Sequence, residues 1–368
     1  MSGDLPRPWR IPLLVLGIVS LFGATAAGLL RMGWNAPLPG TASVLDHGPL
    51  MIGAFFGTVI SLERAVALGA RWSYSAPLLA GLGGLALLAG LGYTTGPVLL
   101  LAGSLFMVAG SLQVYRRQRA LHTLTLLLGA ASWATGNALW LAGFTIPAVA
   151  PLWMAFLILT IAGERLELSR FLPPSPVASK VFAVIIALLL AATLAAFSKL
   201  PGTGLLFPAT LLALAAWLLK QDIARRTVHQ KGLTRFIAVC LLSGYVWLSI
   251  GALILLSAGG IAPNSAAYGA GLHAILLGFV FAMVFGHAPI IFPAILGVRL
   301  PYHPLFYVPL IVLHLSLGLR VTGTMMAVAQ MRSMGGALNA VALALFVLGL
   351  VASVVRGSAS DSGRRTRP

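Results

Sequence analysis

Four histidines and one arginine lie in or at the edges of long apolar runs: His47, His273, His287, His314 and Arg320. An ionisable side chain there is costly unless it is hydrogen-bonded, ligating a metal or facing water. His47 opens the run HGPLMIGAFF and His273 opens HAILLGFVFAMVFGH. Two imidazoles at one depth on different helices have the chemistry to grip a haem iron from opposite faces. The competing reading is that each bonds a carbonyl near the end of its own helix. His287 follows His273 by 14 residues. On an α-helix that leaves the two about 40° apart around the axis and about 21 Å apart along it. Such a spacing suits a second ligand near the other membrane side, with His303 or His122 as its partner. Arg320, six residues after His314, needs an anion, an outward reach or a wet cavity. A haem propionate, a structural partner such as Asp46, and a substrate anion are its three candidates. His229, in DIARRTVHQKG, reads as a solvated loop residue, and His122, after YRRQRAL, as an interfacial one.

Two Glu-Arg corners, Glu63-Arg64 in ISLERAVALG and Glu164-Arg165 in IAGERLELSRF, are expected to latch their helices through interface ion pairs. Their likeness also hints at an internal duplication. Met51 lies four residues after His47, on the same helical face, and a methionine cluster spans 325–334. Thioethers can ligate copper, but no MxxM or HxH pattern accompanies them, so copper lacks a clear ligand set. The one cysteine, Cys240, sits in an apolar run and supports neither a disulfide nor a cysteine-rich metal site.

The elements that carry these residues are about twelve apolar stretches of membrane-spanning length. They run roughly over 11–30, 47–66, 76–93, 97–114, 121–141, 148–163, 180–198, 203–219, 235–257, 271–292, 304–328 and 336–355. Helices are the state that satisfies the backbone in lipid, and Pro289, Pro293 and Pro309 predict local kinks. Apolar residues make up 59% of the chain and charged residues 8%, with a mean hydropathy of +0.98. That excludes an ordinary soluble enzyme and a disordered chain. The net charge of +17 does not signal nucleic acid, because the basic residues lie in short loops and tails. Of the 24 Lys and Arg, 20 fall at the N-terminus, after even-numbered stretches, or at the C-terminus. This bias predicts cytoplasmic termini and puts His47 and His273 toward the outer side. The expected whole is a single integral membrane domain, 1–368, in a bacterial cytoplasmic (inner) membrane, with a flexible basic tail at 356–368. No glycine-rich nucleotide motif occurs in the strand–turn–helix setting it needs.

The segments His47-Gly-Pro-Leu-Met51-Ile-Gly53 and His273-Ala-Ile-Leu-Leu-Gly278 resemble the histidine segments of the NnrS-type membrane proteins. That family is distantly similar to subunit I of haem–copper oxidases. The resemblance covers most of the chain in span count and these two segments in letters. It implies a twelve-span all-α bundle, association with haem and copper and a link to the nitric oxide response. In the oxidases the low-spin haem is gripped by histidines on helices 2 and 10, the spans that carry His47 and His273 here. Spans 6 and 7 hold no histidine, so the resemblance does not extend to the oxidase copper centre. The reading it supports is a b-type haem protein with a redox partner or a diatomic gas as ligand. The alternatives are a secondary transporter of a small anion that uses Arg320, and a cofactor-free assembly factor.

Overall fold

The computed structural model describes residues 4–37, 43–169, 175–195, 197, 202–263 and 265–365. Among them there is no strand, and eleven helices are long and apolar enough to cross a membrane. This is the architecture of a multi-pass membrane protein. The expected third span is the exception. Its helix, Ser75–Leu88, has 14 residues, a rise of about 21 Å against the roughly 30 Å of a hydrocarbon core. Gly90 and Gly92, both at positive φ, follow it and end its reach. Arg170 and Lys199, counted in the charge bias, lie outside the described residues.

The chain forms two compact units. The first comprises Met1–Glu167 and Thr193–Lys199. It contains α1 (Arg10–Leu30), a π-helical stretch (Pro49–Phe56) running into α2 (Gly57–Leu68), α3 (Ser75–Leu88), α4 (Thr95–Arg117), α5 (Leu121–Leu141) and α6 (Ile146–Leu168). α1 packs on the π-helical stretch and on α3, α3 on α4, and α4 on α5. Small residues permit these approaches, as expected where van der Waals packing drives association. A side chain on Gly103 would meet the backbone of Ala76 and Ala80 at 3.0 Å. α6 is apolar on every side, and Trp153, Met154, Ala155, Phe156 and Ile158 are fully buried.

Asn137 is the polar junction of this unit. It is fully buried, donates to the Leu100 carbonyl at 3.1 Å and accepts from Trp153 Nε1 at 3.0 Å, so it joins α4, α5 and α6. Asn137→Ala strands a donor and an acceptor. It is expected to destabilise the protein by about 2 kcal/mol, read as the shift of an SDS-unfolding midpoint in mixed micelles. A shift indistinguishable from zero would show that the junction carries no net energy.

The second unit comprises Leu168–Ala192 and Leu200–Pro368. It holds α7 (Pro176–Ala195, to Ala192), α8 (Leu206–Gln221), the short α9 (Ala224–Thr227), α10 (Gly232–Ser257) and α11 (Ala266–His273). A second π-helical stretch (Ala274–Phe281) runs into α12 (Ala282–Leu296), followed by α13 (Tyr307–Met325) and α14 (Ala329–Arg365). Residues 366–368 of the basic tail lie outside the described residues. α10 is the hub, packing on α8, α11, the π-helical stretch and α12, while α13 pairs with α14. A side chain on Gly251 would strike the Gly271 carbonyl at 2.9 Å, which is why α10 and α11 cross where both are glycine. Phe285 stacks on Phe346 at 3.9 Å and an 11° interplanar angle. Pro289 and Pro293 stand inside α12 without ending it.

One device occurs in both units. A histidine leads into an eight-residue π-helical stretch, an α-helix continues it, and a left-handed glycine stops it. Gly69 has φ 67° and Gly297 φ 69°, a conformation strained for other residues. In the first unit α1 and α3 pack on the π-helical stretch and α3 packs on α4. In the second, α10, α13 and α14 repeat that pattern. The duplication hinted at by the Glu-Arg corners therefore has a better basis in the histidine segments, because both corners belong to the first unit.

Candidate ligand-binding histidines

His47 is placed by a turn that caps itself. Ser43 Oγ accepts the Leu45 N–H at 3.1 Å, and Asp46 Oδ2 accepts the Ser43 N–H at 3.1 Å. The chain then enters the second helix with His47 in its first turn. Burial pushes the Asp46 carboxyl up from its ordinary value, against the pull of the Ser43 N–H. His47 Nδ1 lies 2.7 Å from the Ala24 carbonyl of α1. A carbonyl only accepts, so Nδ1 carries the proton and Nε2 the lone pair. The ring lies against Gly28, where an added Cβ would sit 2.9 Å from His47 Cε1. α1 thus fixes both the tautomer and the ring plane.

His273 ends α11, a helix started by Ser265, whose hydroxyl accepts the Tyr268 N–H at 3.0 Å. Its Nδ1 lies 2.7 Å from the Gly269 carbonyl one turn back, which again leaves the lone pair on Nε2. Arg320 Nη2 donates to that Nε2 at 2.8 Å. Gly335 makes room beside it: a Cβ there would lie 2.7 Å from Arg320 Cα. Arg320 is therefore engaged by a histidine, a partner absent from the three expected for it. His287 repeats the local pattern, with Nδ1 2.6 Å from the Met283 carbonyl.

The π-helical stretch Ala274–Phe281 lies between His273 and His287. Its i→i+5 pairing winds more slowly per residue than an α-helix. The 40° separation expected from pure α-geometry therefore does not hold.

His314 is held at both nitrogens. Trp247 Nε1 donates to its Nδ1 at 3.0 Å. An indole only donates, so Nε2 bears the proton and gives it to Ser243 Oγ at 3.0 Å. The Trp247 and His314 rings are also nearly parallel, at 23°. As placed, His314 joins α13 to α10. Ser243 and Trp247, unnoticed in the sequence, stand four residues apart on one face of α10, the signal that could have found them. His303 Nδ1 accepts the Leu305 N–H at 3.2 Å and so caps the turn before α13.

Arg64 pairs with Glu164 inside the first unit. The two Glu-Arg corners thus latch α2 and α6 directly to each other. Among the described residues, no three or more His, Cys, Asp or Glu side chains gather in a group that could hold a metal ion. His47, His273 and His287 instead each have their own orienting carbonyl.

A family model described as a domain of unknown function, DUF8744, matches residues 10–355. No curated protein matches the chain.

Proposed function

The chain belongs to the DUF8744 family, and from that premise we propose that it is a haem-binding membrane protein, with Nε2 of His47 in the first unit and Nε2 of His273 in the second as the nitrogens offered to b-type haem iron. The observation that carries this reading is the matched pair of settings. Each histidine leads into a π-helical stretch and turns Nδ1 toward a backbone carbonyl. π-Helical turns are rare and concentrate at functional sites. An Nδ1–H on a carbonyl is the support that metal-ligating imidazoles use, because it fixes the ring and raises the basicity of Nε2.

Haem would supply one-electron transfer or the binding of a diatomic gas, and the partner is then a redox protein or a gas such as nitric oxide. The protein's own contribution is orientation. Gly28 and Ala24 lock the His47 ring, and Gly269 sets the His273 tautomer. Arg320 donates to Nε2 of His273; were that nitrogen to hold iron, the guanidinium would be released and would suit a haem propionate. His287, with the same carbonyl support, is the candidate for a further ligand, and His314 braces α13. The expected location is a bacterial cytoplasmic (inner) membrane.

Expression with added haem, followed by oxidised and dithionite-reduced spectra of the detergent-purified protein, tests this. A stoichiometric Soret band with sharp reduced α and β bands is expected. His47→Ala and His273→Ala are each expected to diminish or abolish it while helical circular dichroism persists. Folded, haem-supplied protein without a Soret band would sink the reading. The bond between Arg320 and His273 favours a second reading, a transporter of a small anion that displaces the histidine from the guanidinium.

A further inference from the structure

The first unit contains a cavity of about 280 Å³ between α2, α4, α5 and the turn Arg71–Tyr74. It lies where α4 ends at Arg117 and α5 begins at Leu121, so it sits at the level where apolar helices meet headgroups. Its lining divides by chemistry. Arg64, Arg117, Gln118, Ser61, Ser111 and Thr123 supply polar groups, and no acidic side chain lines it. Phe106, Met107, Val114 and Leu126 form an apolar wall, and Phe106 is exposed on the flank of α4.

Arg64 is the informative residue. One terminal nitrogen is taken by Glu164, but its Nε is buried and has no hydrogen-bond partner. A buried guanidinium N–H left unmade is expensive. Arg117 stands exposed at the same cavity. Two guanidinium groups beside an apolar wall make a receptor for an anion with an apolar attachment. Guanidinium forks match phosphate oxygens.

We propose that this cavity binds a phosphate group, with its oxygens on the guanidinium groups of Arg64 and Arg117 and any attached acyl chain along Phe106 and Met107. The group could come from an anionic phospholipid or from a free phosphate. The site is independent of His47 and His273 and stands or falls apart from the haem reading.

The test uses the full chain in a zwitterionic detergent and reads thermal unfolding against added short-chain phosphatidic acid, short-chain phosphatidylcholine and inorganic phosphate. Phosphatidic acid is expected to raise the unfolding temperature saturably, with phosphatidylcholine without effect. Stabilisation by inorganic phosphate at the same concentrations would identify the free anion as the ligand, and stabilisation by the lipid alone the headgroup. Arg117→Gln is expected to weaken the half-saturating concentration about tenfold, the loss of one charge-assisted hydrogen bond.

Gly110→Leu provides a second variant by filling the cavity. A Cβ at Gly110 meets nothing nearer than Leu68 at 3.7 Å, so the added side chain starts in open space, and unchanged helical circular dichroism is required of the variant. It is expected to abolish the shift. No saturable shift from either phosphate source, an equal shift from phosphatidylcholine, or an unchanged response in both variants would overturn the proposal.

Discussion

Trp133→Ala is expected to destabilise the protein by about 3–5 kcal/mol. Trp133 is fully buried on α5 and stacks on Phe156 of α6 at 5.0 Å and 13°. Its ring also fills the space over Gly57: a Cβ added there would come within 2.7 Å of Trp133 Cη2. Lipid tails are as apolar as a leucine, so helix association in a membrane rests on packing rather than on removal from water. A void of indole size forfeits that packing on all sides at once. Trp133 Nε1 has no hydrogen-bond partner, so the indole contributes through shape alone. Trp133→Phe is therefore expected to recover more than half of the loss. The readout is SDS-induced unfolding followed by circular dichroism, with the two variants compared at one detergent ratio. An alanine variant within 1 kcal/mol of the parent would mean that α6 closes onto α5 without cost.

Much of this architecture was legible in the sequence, because lipid leaves helices as the only state for long apolar runs. The break between the expected spans 76–93 and 97–114 did divide two helices, α3 from α4. The shortness of α3 was not legible, since 76–93 is apolar throughout and nothing marks where winding ceases except Gly90 and Gly92. The π-helical stretches PLMIGAFF and AILLGFVF left no trace for a similar reason. With no polar residue to set a phase, the period of a helix cannot be read from its pattern. His47 and His273 stood out because a histidine in an apolar run is costly, and the structure adds what fixes each ring. Arg320 stood out too, but its partner His273 is 47 residues away. Such a pairing is decided by which helices pack together, and no local pattern encodes it. The latch between Arg64 and Glu164 spans 100 residues and was half legible, since both corners carried both charges.

That latch yields the sharpest prediction about the first unit, because it is unequal in its two halves. Both side chains are largely shielded, with 27% and 21% of their surface exposed. Glu63 and Glu167 also lie close enough to Arg64 to feel its charge. One guanidinium therefore serves a group of carboxylates, and the two ends of the pair are not equivalent. Arg64→Gln leaves Glu164 beside Glu63 with no cation between them. A buried pair that loses one partner typically costs about 3–5 kcal/mol, and the residual exposure here brings the expectation to about 2–3 kcal/mol. Glu164→Gln leaves Arg64 with Glu63 and Glu167 still near it, so about 1 kcal/mol is expected. The double variant Arg64→Gln with Glu164→Gln removes both the cation and its strongest neighbour. It is expected to be more stable than Arg64→Gln alone, since the repulsion left behind is then smaller. Unfolding midpoints for the four proteins complete the cycle. Equal losses for the two single variants, adding up in the double, would show that the carboxylates do not share Arg64 and that each corner is an independent surface anchor.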